Sequence, residues 1–175
     1  FTINYTENGN AETAGPFNNS GQQQVNISPD SGNNTYIITN ITDDNGCVNQ
    51  NNINSEDIYV NPKPDINIAI APNPICIGDN SNISFTSSEG TPPYSVDFTE
   101  GGTGMSVFVP AAGANVPVSP TITTTYALNF VTDDKGCTAN LSDNVTLIVN
   151  ELPELIISSP NEACDDEIIQ LQFNF

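Results

Sequence analysis

Apolar and polar residues alternate along most of the chain, and this period of two is typical of β-strands that bury one face. The alternation is clearest in five runs, whose apolar members are Phe1, Ile3 and Tyr5; Ile83 and Phe85; Tyr94, Val96 and Phe98; Tyr126, Leu128 and Phe130; and Ile169, Leu171 and Phe173. The 3.6-residue spacing of an amphipathic helix does not compete with this pattern. The sequence therefore predicts an all-β fold.

Clusters of Gly, Pro, Asn and Asp separate these runs at intervals of roughly 8 to 12 residues, as in antiparallel β-sandwiches of the Ig-like kind. In the middle of the chain they delimit seven predicted strands. These are residues 66–70, 80–87, 94–99, a strand near 106–109, 115–118, 125–132 and 144–150. We expect the core of this sandwich to contain Phe85, Tyr94, Val96, Tyr126, Leu128 and Phe130.

The chain repeats itself with a period of about 90 residues. The sequence TDDNGC runs from Thr42 to Cys47, and TDDKGC runs from Thr132 to Cys137. The preceding strands match as well (TYIITNI and TYALNFV), and VNISP upstream of the first copy matches VPVSP upstream of the second. The repeat predicts three units: residues 1–61, which lack their first strands; residues 65–150, which are complete; and residues 153–175, the start of a third.

By this phase the chain starts and stops inside a unit, and it opens on Phe without a signal peptide. We expect either a window of a longer array or a subunit whose copies complete one another head to tail, with residues 153–175 supplying the strands that residues 1–61 lack. The connecting sequences VNPKP and VNELP are short and contain Pro, which favours stiff end-to-end stacking of units.

Each Thr-Asp-Asp-x-Gly-Cys sequence is predicted to form a hairpin turn. Asp and Asn favour side-chain-capped turns, and Gly supplies a positive φ. Tyr36 and Tyr126 open the strands that precede these turns. A sandwich often keeps a Tyr there whose hydroxyl bonds to nearby backbone, so we interpret both as structural.

The charge of the chain limits the kinds of molecule that it can bind. Twenty-one acidic residues face only two basic ones, and the net charge of −19 repels nucleic acid and anionic membranes. No stretch approaches the ~18 apolar residues that a membrane span needs. Such a charge suits a crowded, secreted protein and also favours bound cations.

The acidic turns have three interpretations: a catalytic site, a calcium site or ordinary turn structure. A chain without His or Arg, whose acid pairs recur in each unit, does not favour an enzyme. Adjacent carboxylates on one turn also cannot approach a glycoside from two sides. Calcium binding is the more specific alternative to an ordinary turn, and its oxygen ligands would come from Asp43, Asp44, Asp133 and Asp134. No DxDxDG loop is present, so the simpler interpretation is a solvated acidic turn, and no cofactor is predicted.

The repeats resemble a known class of surface protein. Thr125-Tyr126, the Asp133, Gly136 and Cys137 turn, the short VNxxP connector and the following Cys-x-Gly-Asp turn are similar to tandem Ig-like or PKD-like repeats of giant Bacteroidetes surface proteins. The resemblance is above all to gliding-motility adhesins exported by the type IX secretion system. It covers nearly the whole chain and implies adhesion and extracellular display.

In an extracellular protein, four cysteines at matched positions favour disulfides over metal sites. Cys76 and Cys137 are the obvious pair inside one unit, but their turns are predicted at opposite poles of the sandwich. A strand of seven residues spans about 23 Å, well beyond the ~7 Å between Cα atoms that a disulfide bridges. Bridges between stacked units are therefore preferred, joining Cys76 to Cys47 and Cys164 to Cys137 of a neighbouring copy, while the Cys76–Cys137 pair stays open.

The sequence thus predicts a non-catalytic segment of an extracellular repeat-array adhesin or filament that acts as a stiff stalk. The alternative is a carbohydrate- or surface-binding module, which would want exposed aromatic side chains; Tyr5, Tyr59 and Phe108 are the candidates. An enzyme ranks third and would need a unique polar pocket.

Overall fold

The computed structural model describes residues 1–18, 21–51, 54–166 and 168–175. Residues 19, 20, 52 and 53 of the predicted first unit, and residue 167 of the predicted third, lie outside the described residues. The described residues contain no helix, and their strands pair almost entirely in antiparallel fashion. The predicted all-β fold class is confirmed.

The first unit is a five-stranded antiparallel sheet. Its strands are β1 (Thr2–Glu7), β2 (Asn10–Ala14), β3 (Gly32–Thr42), β4 (Val48–Asn49) and β5 (Ser55–Val60). The long strand β3 lies in the middle, with β1 and β2 on one side and β4 and β5 on the other. The alternating strands thus form one sheet around β3.

Residues 65–150 build a sandwich. Its strands are β6 (Asp65–Ala71), β7 (Ile75–Cys76), β8 (Ser81–Glu89), β9 (Tyr94–Glu100), β10 (Thr103–Val109), β11 (Ala114–Val118), β12 (Thr124–Asp133), β13 (Thr138–Asn140), β14 (Asn144–Leu147) and β15 (Val149–Asn150). One sheet has the order β10-β9-β12-β13, with β14 also on β12, and repeats the first unit's order. The second sheet has the order β11-β8-β6, and β7 pairs with β15 in parallel.

A short antiparallel hairpin follows the sandwich. It consists of β16 (Ile156–Ser158) and β17 (Gln172–Asn174). Residues 65–150, all of which are described, thus hold ten strands where seven were predicted. The three extra strands arise because the predicted strand 144–150 is split into β14 and β15, and because β13 and β7 each pair outside the predicted strands.

The core of the sandwich lies between its two sheets. It contains Ile66, Ile75, Ile83, Phe85, Tyr94, Val96, Phe98, Val109, Tyr126, Leu128, Val131 and Leu147. Five of the six predicted core residues belong to it. Phe85 packs against Phe98 of the facing sheet, with ring centroids 5.2 Å apart. Such aromatic pairs contribute beyond their buried area.

Phe130 is the predicted core residue that was wrong. Strand β12 carries a β-bulge between Leu128 and Phe130, where its register with β9 skips one residue. A bulge shifts the alternation of faces, so Val131 is buried in place of Phe130. The first unit has the same irregularity between β1 and β3, where Tyr5 pairs with Ile38 and Asn4 with Asn40.

The predicted match between residues 25–29 and residues 116–120 holds only for the sandwich. Val116 and Val118 lie in β11, which pairs with β8. Residues 25–29 form no strand. Among the described residues of the first unit there is no equivalent of β8 for them to pair with, so their backbone lacks a ladder.

Candidate functional site

The two Thr-Asp-Asp-x-Gly-Cys sequences form the same turn. In the first, Asp43 Oδ1 accepts hydrogen bonds from the backbone N–H groups of Asn45 (3.0 Å) and Cys47 (2.8 Å). In the second, Asp133 Oδ1 accepts from Lys135 (3.0 Å) and Cys137 (2.8 Å). The turn joins β3 to β4 and β12 to β13. The predicted hairpin turn is confirmed in both places.

The second turn has additional partners. Asp133 is buried, and its Oδ2 accepts a hydrogen bond from the backbone N–H of Thr91 at 3.0 Å. The backbone N–H of Asp134 donates to the carbonyl oxygen of Thr91 at 3.0 Å. These contacts tie the turn to the loop between β8 and β9. The carboxylate of Asp133 is therefore occupied by three backbone donors.

The other two calcium candidates are exposed and point to nearby cations. Asp44 Oδ1 lies 3.5 Å from the Phe1 ammonium, and Asp134 Oδ2 lies 3.9 Å from Lys135 Nζ. Among the described residues, no group of three or more acidic, His or Cys side chains converges as metal ligands do. The geometry gives these turns a structural use, and calcium at Asp43, Asp44, Asp133 and Asp134 stays a prediction.

Tyr36 and Tyr126 each donate a hydrogen bond to a glutamate on the neighbouring strand. Tyr126 Oη lies 2.8 Å from Glu100 Oε1, and Tyr36 Oη lies 2.6 Å from Glu7 Oε1. The prediction that these hydroxyls bond to backbone is therefore wrong. The signal was present in the sequence, because Glu7 and Glu100 occupy the same position of the matching segments FTINYTENG and YSVDFTEGG.

Both tyrosine pKa values are raised. The hydrogen bond to Glu7, followed by desolvation, raises the pKa of Tyr36 from 10.0 to about 12. For Tyr126, desolvation is the largest cause of the raised pKa, and the hydrogen bond to Glu100 comes second. Loss of the tyrosine proton would place a phenolate next to the carboxylate of the glutamate. The repulsion between these two negative charges opposes ionisation of the tyrosine in both units. These hydroxyls remain neutral donors, a structural role and not that of a general base.

Cys76 and Cys137 lie near opposite ends of the sandwich. Cys76 pairs with Asn150 in the short parallel ladder, beyond the end of β14. Cys137 lies in the turn at the other end of β12, whose ten residues span about 33 Å. No disulfide joins Cys76 to Cys137 in the structure, and Cys47 is likewise unbridged. The bridges between copies, including the one predicted for the exposed Cys164, stay a prediction.

The connector between the first unit and the sandwich is packed. Pro64 is buried, and a Cβ placed on Gly90 would lie 2.7 Å from Pro64 Cα and 3.1 Å from Tyr94 Cε1. Gly90 has a φ of +92°, which favours glycine on its own account. The sequence did not reveal this contact, because it joins a connector to a loop 26 residues later that has no counterpart in the first unit.

The three aromatic candidates for a binding surface differ in exposure. Tyr59 and Phe108 are 63% and 67% exposed. Tyr5 is half-buried and lies beside Tyr36, with ring centroids 6.4 Å apart. Tyr59 lies on β5 of the first unit, whereas Phe108 lies on β10 of the sandwich. Tyr5 and Tyr59 lie in the sheet of the first unit and Phe108 lies in a sheet of the sandwich, so strand pairing does not join the three into one aromatic platform.

No protein-family model and no curated protein matches the chain. Among solved structures, the chain is similar to the fibronectin(III)-like modules of Clostridium thermocellum CbhA, with 13% identity, a TM-score of 0.41, and coverage of 86% of this chain and 78% of that one. Among the described residues, no helix is long and apolar enough to cross a membrane.

Proposed function

We propose that this chain is a non-catalytic segment of an extracellular repeat-array adhesin or filament, and that it acts as a stiff stalk for cell-surface adhesion. The observation that carries the proposal is the packed connector. Between β5, which ends at Val60, and β6, which begins at Asp65, only four residues intervene, and Pro64 among them is buried against Gly90. A short connector held in this way limits bending between units.

The reuse of interactions also supports a structural role. The Asp-capped turn and the Tyr–Glu hydrogen bond occur in both units with nearly equal distances. Catalytic groups usually belong to one site, whereas parts that hold a repeat together recur in each copy. The polar groups that sequence reasoning singled out are thus used to fix strands and turns.

The charge fits an extended, exposed array. A net charge of −19 on 175 residues makes neighbouring chains repel one another, which keeps a crowded surface protein dispersed. It also opposes bending of the array upon itself at low ionic strength. Together with the resemblance to gliding-motility adhesins, this supports an extracellular location.

Matched glycine variants test the stalk. Gly90 and Gly102 have φ values of +92° and +90°, but a Cβ on Gly102 would meet nothing within 4 Å. Gly90→Ala should therefore displace Pro64, while Gly102→Ala imposes the same backbone strain without that clash. Spin labels on β5 and on β14 would report the distance distribution between the first unit and the sandwich by pulsed electron resonance.

We expect a narrow distribution for the wild type and for Gly102→Ala, and a broad one for Gly90→Ala. A wild-type distribution as broad as that of Gly90→Ala would contradict the stiff connector.

Adhesion would be measured with beads that carry the chain at the end of a tether, on cell and glycan surfaces. Beads that bind no surface in any display geometry would argue against a role in adhesion.

The alternative function, a carbohydrate- or surface-binding module, is favoured by the exposure of Tyr59 and Phe108. Sugar-binding sites commonly present aromatic faces to solvent. Glycan-array binding that is lost in Tyr59→Ala or Phe108→Ala, and kept in Gly90→Ala, would support the module over the stalk.

A further inference from the structure

Strand β10 forms a free edge of the sandwich, inside the complete unit. It is the end strand of the sheet β10-β9-β12-β13. Glu100 and Thr103 flank the two-residue loop between β9 and β10, and residues in that position form a hydrogen-bonded pair. Because hydrogen-bonded and non-hydrogen-bonded pairs alternate, the backbone groups of Gly104, Ser106 and Phe108 point away from the sheet. Among the described residues, these groups have no hydrogen-bond partner.

Strand β10 lacks the features that usually protect an edge strand. Natural edge strands are short, carry charged side chains or contain Pro. β10 has seven residues, and its sequence TGMSVFV contains neither a charge nor Pro. The other edges differ, since β11 contains Pro117, β13 and β14 have three and four residues, and β6 lies against β14 of the facing sheet. In the first unit, the equivalent strand β2 is shorter and carries Glu12.

A carboxylate lies one strand in from this edge. Asp97 of β9 pairs with Ser106 of β10 and with Phe130 of β12, and it is exposed on the outer face of the sheet. Phe108 lies on the same face of β10, two residues after Ser106, and is 67% exposed. Among the described residues, Asp97 has no hydrogen-bond or ion-pair partner. The outer face thus presents an unpaired negative charge near an exposed aromatic ring.

The first unit satisfies the equivalent position from within. Its Asn4, Asn40 and Thr13 stand where the sandwich has Asp97 and its two neighbours. Asn4 Nδ2 donates to Asn40 Oδ1 at 2.8 Å, and Thr13 Oγ1 donates to Asn4 Oδ1 at 2.8 Å. These polar side chains bond to one another, whereas the carboxylate of Asp97 is left for a donor from outside.

We propose that β10 accepts an extended, basic segment of a partner protein as an added strand, and that a Lys or Arg side chain of this segment pairs with Asp97. An added strand would lie about 4.8 Å beyond β10 and roughly 10 Å from the backbone of Asp97. A long basic side chain covers this distance, and the small residues Gly104 and Ser106 leave its path open. Phe108 would contact the stem of that side chain. The inference goes beyond the stalk function and does not depend on it.

Charge identifies the occupant of the edge. The net charge of −19 attracts a basic segment and repels a second copy of this chain. Lys63 and Lys135, the two basic residues of the sequence, lie in the connector before β6 and in the turn after β12. The described strands therefore carry no cation that a second copy could bring to Asp97. Pairing of two β10 strands would instead bring two Asp97 carboxylates towards each other.

A labelled peptide tests the site on the full chain. The probe is a fluorescein-labelled peptide of alternating lysine and valine, as long as β10, and its binding is measured by fluorescence anisotropy at low ionic strength. The charge control has glutamate in place of lysine. We expect saturable binding of the basic peptide that weakens as sodium chloride is added, and no binding of the acidic one. Failure of the basic peptide to bind, or equal binding of the two, would overturn the proposal.

A matched pair of charge variants separates this site from general attraction to an acidic protein. Asp97→Asn and Glu12→Gln each remove one exposed charge from a strand, but only Asp97 lies beside β10. Asp97→Asn should weaken binding about fivefold, whereas Glu12→Gln should change it by less than about twofold. Equal effects of the two substitutions would contradict the proposed contact with Asp97.

Two substitutions at Ser106 test strand addition itself. Ser106→Pro removes an outward N–H that β9 does not use, and Ser106→Lys supplies Asp97 with a cation from within the chain. Each should weaken binding by at least about tenfold, with β-structure retained by circular dichroism. Binding that both variants keep would contradict strand addition. Sedimentation velocity that shows wild-type oligomers, absent in Ser106→Lys, would make a second copy the occupant and overturn the proposal.

Discussion

The sheet of the first unit and the sandwich of residues 65–150 share a strand order, an Asp-capped turn, a Tyr–Glu hydrogen bond and a β-bulge at matched positions. They differ in burial. Tyr126 is 0% exposed, while Tyr36 is half-buried. Local interactions are therefore specified by the strands and turns themselves, whereas burial requires the second sheet that β6, β8 and β11 provide.

The tyrosine pKa values show the same difference in another property. Desolvation is the largest cause of the raised pKa of Tyr126, whereas the hydrogen bond to Glu7 is the largest cause for Tyr36. The hydroxyl partner is equivalent in the two units, so the change in order follows from the sheet that covers Tyr126. The Tyr–Glu hydrogen bond is the same in the two units, but in the sandwich a second sheet covers the tyrosine.

The largest expected effect comes from a matched pair of core truncations. Leu128→Ala removes a fully buried side chain and should lower the free energy of unfolding by about 2–5 kcal/mol. Ile38→Ala, at the equivalent half-buried position, should have a smaller effect because its surroundings are already open to water. Hydrogen exchange followed by mass spectrometry measures each unit through its own peptides. Equal losses of protection in the two units would contradict the comparison.

The next effect concerns the tyrosine hydroxyls. Tyr126→Phe removes a hydrogen bond to the carboxylate of Glu100 and should cost about 1.5–3 kcal/mol, since the acceptor is charged. Tyr36→Phe should cost less, because water can reach Glu7 when the hydroxyl is lost. Urea titrations of the wild type and both variants at neutral pH would measure this difference.

The same pair has a defined pH dependence. A tyrosine whose pKa is raised in the folded state stabilises the fold fully below its ordinary pKa of 10.0, and this contribution is lost as pH rises through the folded pKa, which for Tyr36 is about 12. Stability should therefore fall between pH 10 and 12. The fall should be shallower in Tyr126→Phe than in the wild type. A parallel decline in both would mean that Tyr126 does not contribute to it.

Much of the fold could be predicted from the sequence because the same pattern of residues occurs twice in the chain. Alternation predicted the strands, and the repeated Asp, Gly and Cys predicted the turn. The bulge beside Asn129 was missed because simple alternation points Phe130 inward. A comparison of the repeats offers the missing signal: Phe130 aligns with the polar Asn40, whereas Val131 aligns with Ile41.

The site was less accessible to sequence reasoning. The partner of each tyrosine lies on a neighbouring strand 26 to 29 residues away, and its identity depends on strand register. The role of Asp133 depends on Thr91, from a loop that has no counterpart among the described residues of the first unit. Composition suggested metal ligands at the turns, but backbone N–H groups compete for the same carboxylate oxygens. Which N–H groups form these hydrogen bonds depends on the folded geometry of the loops, and the sequence alone does not give it.

A smaller effect should separate the two turns. Asp133→Ala leaves three backbone N–H groups without their acceptor, including that of Thr91, whereas Asp43→Ala leaves two. We expect a loss of about 1–2 kcal/mol for Asp133→Ala and a smaller loss for Asp43→Ala. Thermal unfolding followed by circular dichroism would compare them. The control is Asp134→Ala, at an exposed position whose ion pair with Lys135 is long at 3.9 Å, and it should be nearly neutral.

The smallest effect tests the bulge itself. Phe130→Asn places in the sandwich the residue that the first unit carries at the same position, Asn40. Because the bulge turns this side chain away from the core, the change should lower the free energy of unfolding by less than about 1 kcal/mol. Val131→Ala removes fewer atoms from a fully buried position and should nevertheless cost more. Urea titrations that reverse this order would show that Phe130, and not Val131, faces the core.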